Sequence, residues 1–293
     1  MMLENNENIE EVKKLLENAA LEGKLSSAQY AMGKLTEDDI NVSLKWYKMA
    51  SDNGNEYASY RLGKLFQDRE EIKNVEYAKK YFIKAMEQGN KEVYYNLGKI
   101  YLDEGNIKES EDYLLKASET GNVYADYRLG KMYLEKKEVK NIEKGLKYLI
   151  RAADQDNEAA CFYLGHVYLQ KETKNVALAV KYFEKASLQG NSNAEYMLGE
   201  VYLREYKNQK MAKKYFQMAA EKGNEYAQNR INGMKRWEYN RAKRMKSYSS
   251  QKAINGLRKA LDNSYESYKS QLEYERVMEE QRREKNAQRE ISK

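Results

Sequence analysis

The chain has 293 residues, of which 41% are hydrophobic and 33% are charged, with a formal net charge of +6 and a mean hydropathy of −0.98. One Cys and one His exclude a disulfide framework and leave too few ligands for a Cys/His zinc site. No run of apolar residues is long enough to span a membrane and no apolar signal segment opens the chain, so we expect a cytoplasmic protein without membrane contact.

Two short phrases alternate along the chain. The first has the form of YRLGKMYL and occurs six times, each copy with an anchor glycine: Gly33, Gly63, Gly98, Gly130, Gly165 and Gly199. The second has the form of YLLKA and ends at Ala50, Ala85, Ala117, Ala152, Ala186 and Ala219. Each Ala is followed 13 residues later by the next anchor Gly in all five cases, whereas the distance from a Gly to its own Ala varies. One connection is therefore fixed and the other is free to vary.

The apolar spacing of both phrases predicts two short helices per repeat, A followed by B. The fixed connection is a tight turn from B to A that carries Gly-Asn, with Asp156-Asn157 as the one substitute. The anchor Gly costs helix stability, so we expect it to allow close contact between helices. Helix pairs that cannot bury an apolar face alone stack on one another, which predicts an all-α, α/α solenoid.

The pattern Ala-x-Tyr-x-Leu-Gly-x-x-Tyr, then Lys-Ala, then Gly-Asn, resembles the Sel1-like repeat, a relative of the tetratricopeptide repeat. The resemblance implies a superhelix of six helix pairs over residues 24–233, after an N-terminal capping helix in residues 1–23 and before a helical extension in residues 234–293. Phrases such as LGKIYL also resemble, more weakly, repeat arrays attached to relaxases of Gram-positive mobile elements. The Gly-x-Gly-Val of the family's A–B loop is mostly absent, and the lone Cys161 excludes its disulfide-bonded branch.

An aromatic residue and a basic residue lie four apart in each of the first five helices A and share one side of the helix. By analogy with tetratricopeptide-like folds, this side is expected to line the concave surface and to bind a protein or an acidic peptide, with tyrosine supplying contact area and lysine pairing with carboxylates. The alternative is that the tyrosines are structural and the lysines are solvated. We call these ten residues the helix-A stripe: Tyr30, Lys34, Tyr60, Lys64, Tyr95, Lys99, Tyr127, Lys131, Phe162 and His166.

The sixth copy carries Glu200 where the others carry the basic residue. This change predicts that an acidic ligand stops near His166, and that the protein's own basic tail lies near the sixth repeat.

The sequence gives no indication of an enzyme. Gly-Lys lies inside a helix and lacks the spacing of a phosphate-binding loop. His166 is expected at the helix surface and Cys161 as a buried, unreactive thiol. We expect a scaffold without catalytic residues, metal or cofactor.

The surplus of positive charge lies in residues 234–260, which hold nine basic residues and one acidic residue. Such a segment suits either a solvated cap on the array or a nucleic-acid interface, as in an accessory protein of a mobile element. The candidate nucleic-acid-binding residues are Lys235, Arg236, Trp237, Arg241, Lys243, Arg244 and Lys246.

Helical spacing resumes in residues 254–272, where six apolar residues form one line along a predicted helix. This line is expected either to dock on the array or to pair with a second copy of the chain.

Overall fold

A computed structural model describes the backbone of residues 2–291 and the side chains of residues 11–280. Every regular element in this part of the chain is helical, which confirms the all-α prediction. The helices are α1 (Met2–Leu21), α2 (Ser26–Leu35), α3 (Ile40–Asp52), α4 (Glu56–Asp68), α5 (Val75–Glu87), α6 (Val93–Asp103), α7 (Ile107–Glu119), α8 (Val123–Glu135), α9 (Ile142–Asp154), α10 (Glu158–Val167), α11 (Val176–Leu188), α12 (Ser192–Arg204), α13 (Gln209–Glu221) and α14 (Glu225–Ile291). The six predicted pairs run from α2–α3 to α12–α13, with even-numbered helices as helix A.

The turn from helix B to helix A has the predicted left-handed residue. Gly54 and Gly121 have φ angles of +85° and +83°, and Asp156, the predicted substitute, has φ +59°. The following Asn caps the next helix in most repeats; the Asn122 side chain, for example, accepts a hydrogen bond of 3.0 Å from the backbone N–H of Ala125. The Gly-Asn pair therefore ends one helix and starts the next.

The anchor glycines are points of close helix contact, as the sequence predicts. A Cβ added to Gly63 would lie 2.6 Å from ring carbons of Phe82, and one on Gly165 would lie 2.5 Å from the ring of Phe183. Both rings are fully buried in the helix B of the same repeat. In the first five helix pairs, the anchor glycine of helix A thus packs directly against a large side chain of helix B.

Residues 1–212 form one compact unit and residues 213–293 a second. In the first unit the main contacts join helices that follow one another in the chain, from α1·α2 to α11·α12. Its first contact buries Ala20 of α1 against Ala28 and Met32 of α2. This sequential packing is that of a solenoid, in which each repeat is stabilised by its neighbours.

A buried ion pair connects the two helices of the fourth repeat to the third. Arg151 of α9 donates from Nε to Asp126 Oδ2 of α8 at 2.6 Å, and its terminal nitrogen also reaches Ser118 of α7. Asp126 is only 1% exposed, whereas the Arg151 side chain is 44% exposed. Water cannot solvate the buried Asp126 carboxylate if Arg151 is lost, whereas water can solvate Arg151 if Asp126 is lost.

The second unit contains most of α13 and the 67-residue helix α14. Phe216 and Ala219 of α13 are buried, as are Ala227 and Ile231 in the first turns of α14. Helix α14 continues through Gly233, the predicted end of the repeats, without interruption. Side chains 235–280 are all exposed. The domain boundary at residue 233 stays a prediction.

Candidate functional site

All ten residues of the helix-A stripe lie within helices α2, α4, α6, α8 and α10. Successive helices A contact each other through aromatic rings: the centroids of Tyr95 and Tyr124 are 6.1 Å apart, and those of Tyr127 and Tyr163 are 6.4 Å apart. The helices A thus lie side by side and their stripes are adjacent. The concave position of this surface stays a prediction.

The aromatic members of the helix-A stripe are half-buried and have a packing role. Tyr60 packs against Phe82, the ring that covers the anchor glycine, with 5.9 Å between centroids, and Phe162 packs in the same way against Phe183. Burial raises the pKa of Tyr60. These rings therefore stabilise the helix pair and leave only one side available to a ligand.

The lysines of the helix-A stripe differ in their surroundings. Lys64 pairs with Asp68 one turn later at 2.6 Å, and Lys131 is 3.7 Å from Glu135 and 5.3 Å from the ring centroid of Tyr163. Lys34 is exposed. A ligand carboxylate would compete with a carboxylate of the chain at Lys64 and Lys131, although such partly exposed pairs contribute little to stability.

His166 is half-buried, whereas the sequence predicts a residue exposed at the helix surface. Its ring lies edge-on to Phe162 and Phe183, with centroid distances of 4.7 and 5.3 Å. Burial lowers its pKa below the usual 6.5, which favours the neutral ring. The prediction failed because the aromatic neighbour on helix B is not visible in the spacing of helix A. The fifth repeat consequently lacks the positive charge found in the first four.

Glu200, which reverses the charge in the sixth repeat, is 6% exposed and pairs with Arg204 of its own helix at 2.7 Å. Its carboxylate therefore already has a cation one turn away. The expected proximity of the basic tail to the sixth repeat stays a prediction.

A groove of about 500 Å³ brings two parts of the helix-A stripe together. Tyr60 and Lys64 of the second repeat and Tyr95 of the third repeat line it, and the turn before α8 closes it at Gly121. Its remaining lining residues are Lys91, Glu92, Asn96, Ala117, Thr120 and Asn122. We call it the repeat-3 groove.

The repeat-3 groove forms where a helix A starts late. The other helices A that follow a turn with Asn begin directly after that Asn, as α4 does at Glu56, whereas α6 begins at Val93, three residues after Asn90. Val93 also replaces the small Ala found at this place in other repeats. The side chains of Lys91 and Glu92 are exposed and line the groove. Sequence analysis did not predict these two residues, and the larger Val93 was the only signal.

Arg128 is a second residue that sequence analysis missed. Its Nε donates to the hydroxyl of Tyr95 at 3.0 Å, and its guanidinium lies 5.7 Å from that ring. Arg61 occupies the same place in the second repeat and is bonded to Glu37. Among the residues whose side chains are described, Arg128 has no such carboxylate. Its positive charge therefore lies next to the repeat-3 groove without a neutralising partner.

Lys99 of the stripe lines a different cavity, of about 620 Å³, between the second and third repeats. Asp68, Asp103 and Glu104 line it together with Lys73. Because acidic residues outnumber basic ones there, this cavity is a poorer place for an acidic ligand. The predicted row of lysines is therefore divided: Lys64 lines the repeat-3 groove, whereas Lys99 lines the more acidic cavity.

The seven candidate nucleic-acid-binding residues are all exposed on α14. At about 100° per residue the six basic ones span about 240° of the helix circumference, and Lys235, Arg236, Lys243 and Lys246 lie within about 100° of it. The Arg241 guanidinium lies 5.2 Å from the ring of Trp237 and competes with a base for that ring. Nucleic-acid binding by this segment stays a prediction.

Cys161 is fully buried, and burial raises the pKa of its thiol, which agrees with the predicted unreactive cysteine. Across side chains 11–280 there is no cluster of three or more His, Cys, Asp or Glu residues able to hold a metal ion. None of the helices described is both long and apolar enough to cross a bilayer.

The repeats are matched by the family model of the Sel1 repeat over residues 26–55, 56–90, 123–157, 158–191 and 192–224, more than half of the chain. This chain belongs to the Sel1 repeat family. Residues 91–122 are outside the matched segments, although α6 and α7 form the same helix pair there. The third Sel1 repeat, which builds the repeat-3 groove, is therefore the one that departs furthest from the family pattern.

Two solved structures have a similar fold. A protective antigen of uropathogenic Escherichia coli with a Sel1-like fold is 24% identical, with a TM-score of 0.64 over 76% of this chain and 51% of its own. A Sel1 repeat protein from Oxalobacter formigenes is 25% identical, with a TM-score of 0.62 over 77% of this chain and 70% of its own. This chain thus spans about half the length of the E. coli antigen. No curated protein matches it.

Sel1 repeat proteins are commonly scaffolds for protein interactions, and the family is non-catalytic. The weaker resemblance to relaxase-linked arrays is not addressed by these matches and stays a prediction.

Proposed function

We propose that this protein is a non-catalytic scaffold that binds an acidic peptide segment of a partner protein in the repeat-3 groove. The observation that carries the proposal is the convergence of Tyr60, Tyr95 and Lys64 with Lys91 in one cavity, beside the carboxylate-free Arg128. Tyrosine rings offer rigid contact area, and the cations offer charge-assisted hydrogen bonds to carboxylates.

The size of the groove fits a short peptide segment. About 500 Å³ lies within the range of ligand pockets, and the groove is open at the surface, as a segment of a longer chain requires. Glu92 lines the groove beside Lys91, and Asp68 pairs with Lys64, so a ligand carboxylate is expected to bind at Arg128, which has no carboxylate beside it among the described side chains of the chain.

The test is fluorescence anisotropy of a labelled oligoglutamate peptide with the full chain. We expect binding that weakens as salt increases, and about tenfold or greater loss of affinity in the double variant Lys91→Glu/Arg128→Glu. The matched control is Lys137→Glu/Lys147→Glu, which makes the same change of charge at exposed positions away from the groove.

Equal loss in both double variants would mean that the peptide responds to net charge alone and would contradict the site. Partners of the native protein are then sought by co-purification. Only those captured by the wild type and the control, and lost with Lys91→Glu/Arg128→Glu, count as ligands of the groove.

A further inference from the structure

Helix α14 carries an apolar line that is exposed along its whole length. Its members are 48 to 70% exposed. We call them the tail stripe: Ile254, Leu257, Leu261, Tyr265, Tyr268 and Leu272. At 100° per residue they fall within about 80° of the helix circumference, which is a single face. An exposed apolar face of this kind marks an interaction surface.

The spacing of the tail stripe keeps this face straight. Ile254 and Tyr265 are 11 residues apart, as are Leu257 and Tyr268, and Leu261 and Leu272. Eleven residues advance only about 20° beyond three full turns, and Ile254 and Leu272, 18 residues apart, return to the same angle, so the face scarcely winds around the helix. A second straight helix can therefore lie along it over all five turns.

Charge is distributed unevenly along the same helix. Residues 234–260 hold nine basic residues and one acidic residue, whereas residues 262–280 hold six acidic and two basic residues. On the face of the tail stripe itself, Lys243 and Lys246 precede Ile254, and Glu275 and Glu279 follow Leu272. One end of the face is thus positive and the other is negative.

We propose that α14 pairs with α14 of a second copy of this chain, antiparallel, through the tail stripe. In that arrangement the positive end of each helix lies against the negative end of the other, whereas parallel pairing would place like charges together over the whole length.

The stripe is also self-complementary in this direction. Turned end to end about residue 263, Ile254 faces Leu272 and Leu261 faces Tyr265, while Leu257 meets Tyr268 within one residue. An isologous twofold contact requires this property. The pairing involves none of the residues of the repeat-3 groove, so it does not depend on the proposed function.

Sedimentation velocity of the full chain over a wide range of concentration tests the pairing. We expect a dimer that Tyr268→Asp weakens about tenfold or more, because it buries a charge in the apolar contact. The matched control is Tyr274→Asp, at a residue of similar exposure that lies about 140° around the helix from the middle of the stripe. Both tyrosines are exposed, so neither change should disturb the folding of a single copy.

Orientation is tested by disulfide formation, since the native Cys161 is buried. Ile254→Cys mixed with Leu272→Cys should yield a cross-linked dimer, and neither variant should cross-link with itself, because equal residues would be about 27 Å apart in an antiparallel pair. Self-cross-linking of Ile254→Cys would indicate parallel pairing and overturn the proposal. A chain that stays monomeric at all concentrations, or a dimer unaffected by Tyr268→Asp, would also overturn the proposal. The tail stripe would then be a contact surface for another part of the chain or for another protein.

Discussion

The anchor glycine is the residue on which each helix pair depends. Gly63 lies under the buried ring of Phe82, and the ring is enclosed on all sides, so it cannot move away from an added methyl group. We expect Gly63→Ala to destabilise the protein by about 1 to 3 kcal/mol. This loss exceeds the gain of up to about 1 kcal/mol in helix propensity.

The chain offers its own control for this change. Gly233 also lies within a helix, but a Cβ added there would meet nothing within 4 Å. Gly233→Ala should therefore leave the urea midpoint unchanged or raise it. If the two variants shifted the midpoint alike, close packing would not be the reason for the anchor glycines.

His166 makes stability depend on pH. Burial lowers its pKa in the folded chain, so the unfolded chain binds the proton more readily. The contribution of the neutral, packed His166 ring to the free energy of unfolding is complete above about pH 6.5, the usual pKa of the unfolded chain. It is lost as the pH falls through the lower pKa that His166 has in the folded chain. His166→Gln should therefore lose less stability than the wild type between about pH 7.5 and pH 5.5.

Urea unfolding at both pH values measures this difference, and His166 is the chain's only histidine, so no other imidazole contributes. An unchanged pH dependence in the variant would show that the ring is already accessible to protons in the folded state.

The pair of α8 and α9 is expected to respond unequally to the loss of either charged partner. Arg151→Ala leaves Asp126 buried without a cation, which costs about 3 to 5 kcal/mol. Asp126→Ala should cost less, because the half-exposed Arg151 can turn to water. Thermal unfolding of both single variants and of the double variant measures the asymmetry. Equal losses in the two single variants would argue against it.

Elements differ in how far the sequence predicts them. The helix pairs follow from two phrases that alternate in every copy with one fixed connection, and the close packing at the anchor glycines follows because a costly residue recurs six times. The helix-A stripe was harder to interpret: the pairing of Lys64 with Asp68 is local and visible in the sequence, whereas the contact of Arg128 with Tyr95 joins two repeats and depends on how they stack.

The late start of α6 could not be predicted from the glycines. The turn glycine Gly89 and the anchor glycine Gly98 have the same spacing as the turn and anchor glycines of the other repeats. Only the exchange of a small Ala for Val93 distinguishes this repeat, and the conformation of Lys91 and Glu92 is not determined by that exchange alone. The groove thus arises where the repeat pattern is broken, which is why periodicity did not reveal it.

At the scale of the first unit, sequential contact makes stability a local property. Helices α1 to α12 make their main contacts with their neighbours in the chain, so a change in one repeat can reach a distant repeat only through those between. Gly63→Ala should therefore reduce hydrogen-exchange protection most in α4 and α5, less in α6 and α7, and least in α10 and α11. Mass spectrometry of peptides from each helix measures this gradient. A uniform loss of protection from α2 to α11 would show instead that the repeats unfold as one cooperative body, and the solenoid would then be held together by more than its nearest-neighbour contacts.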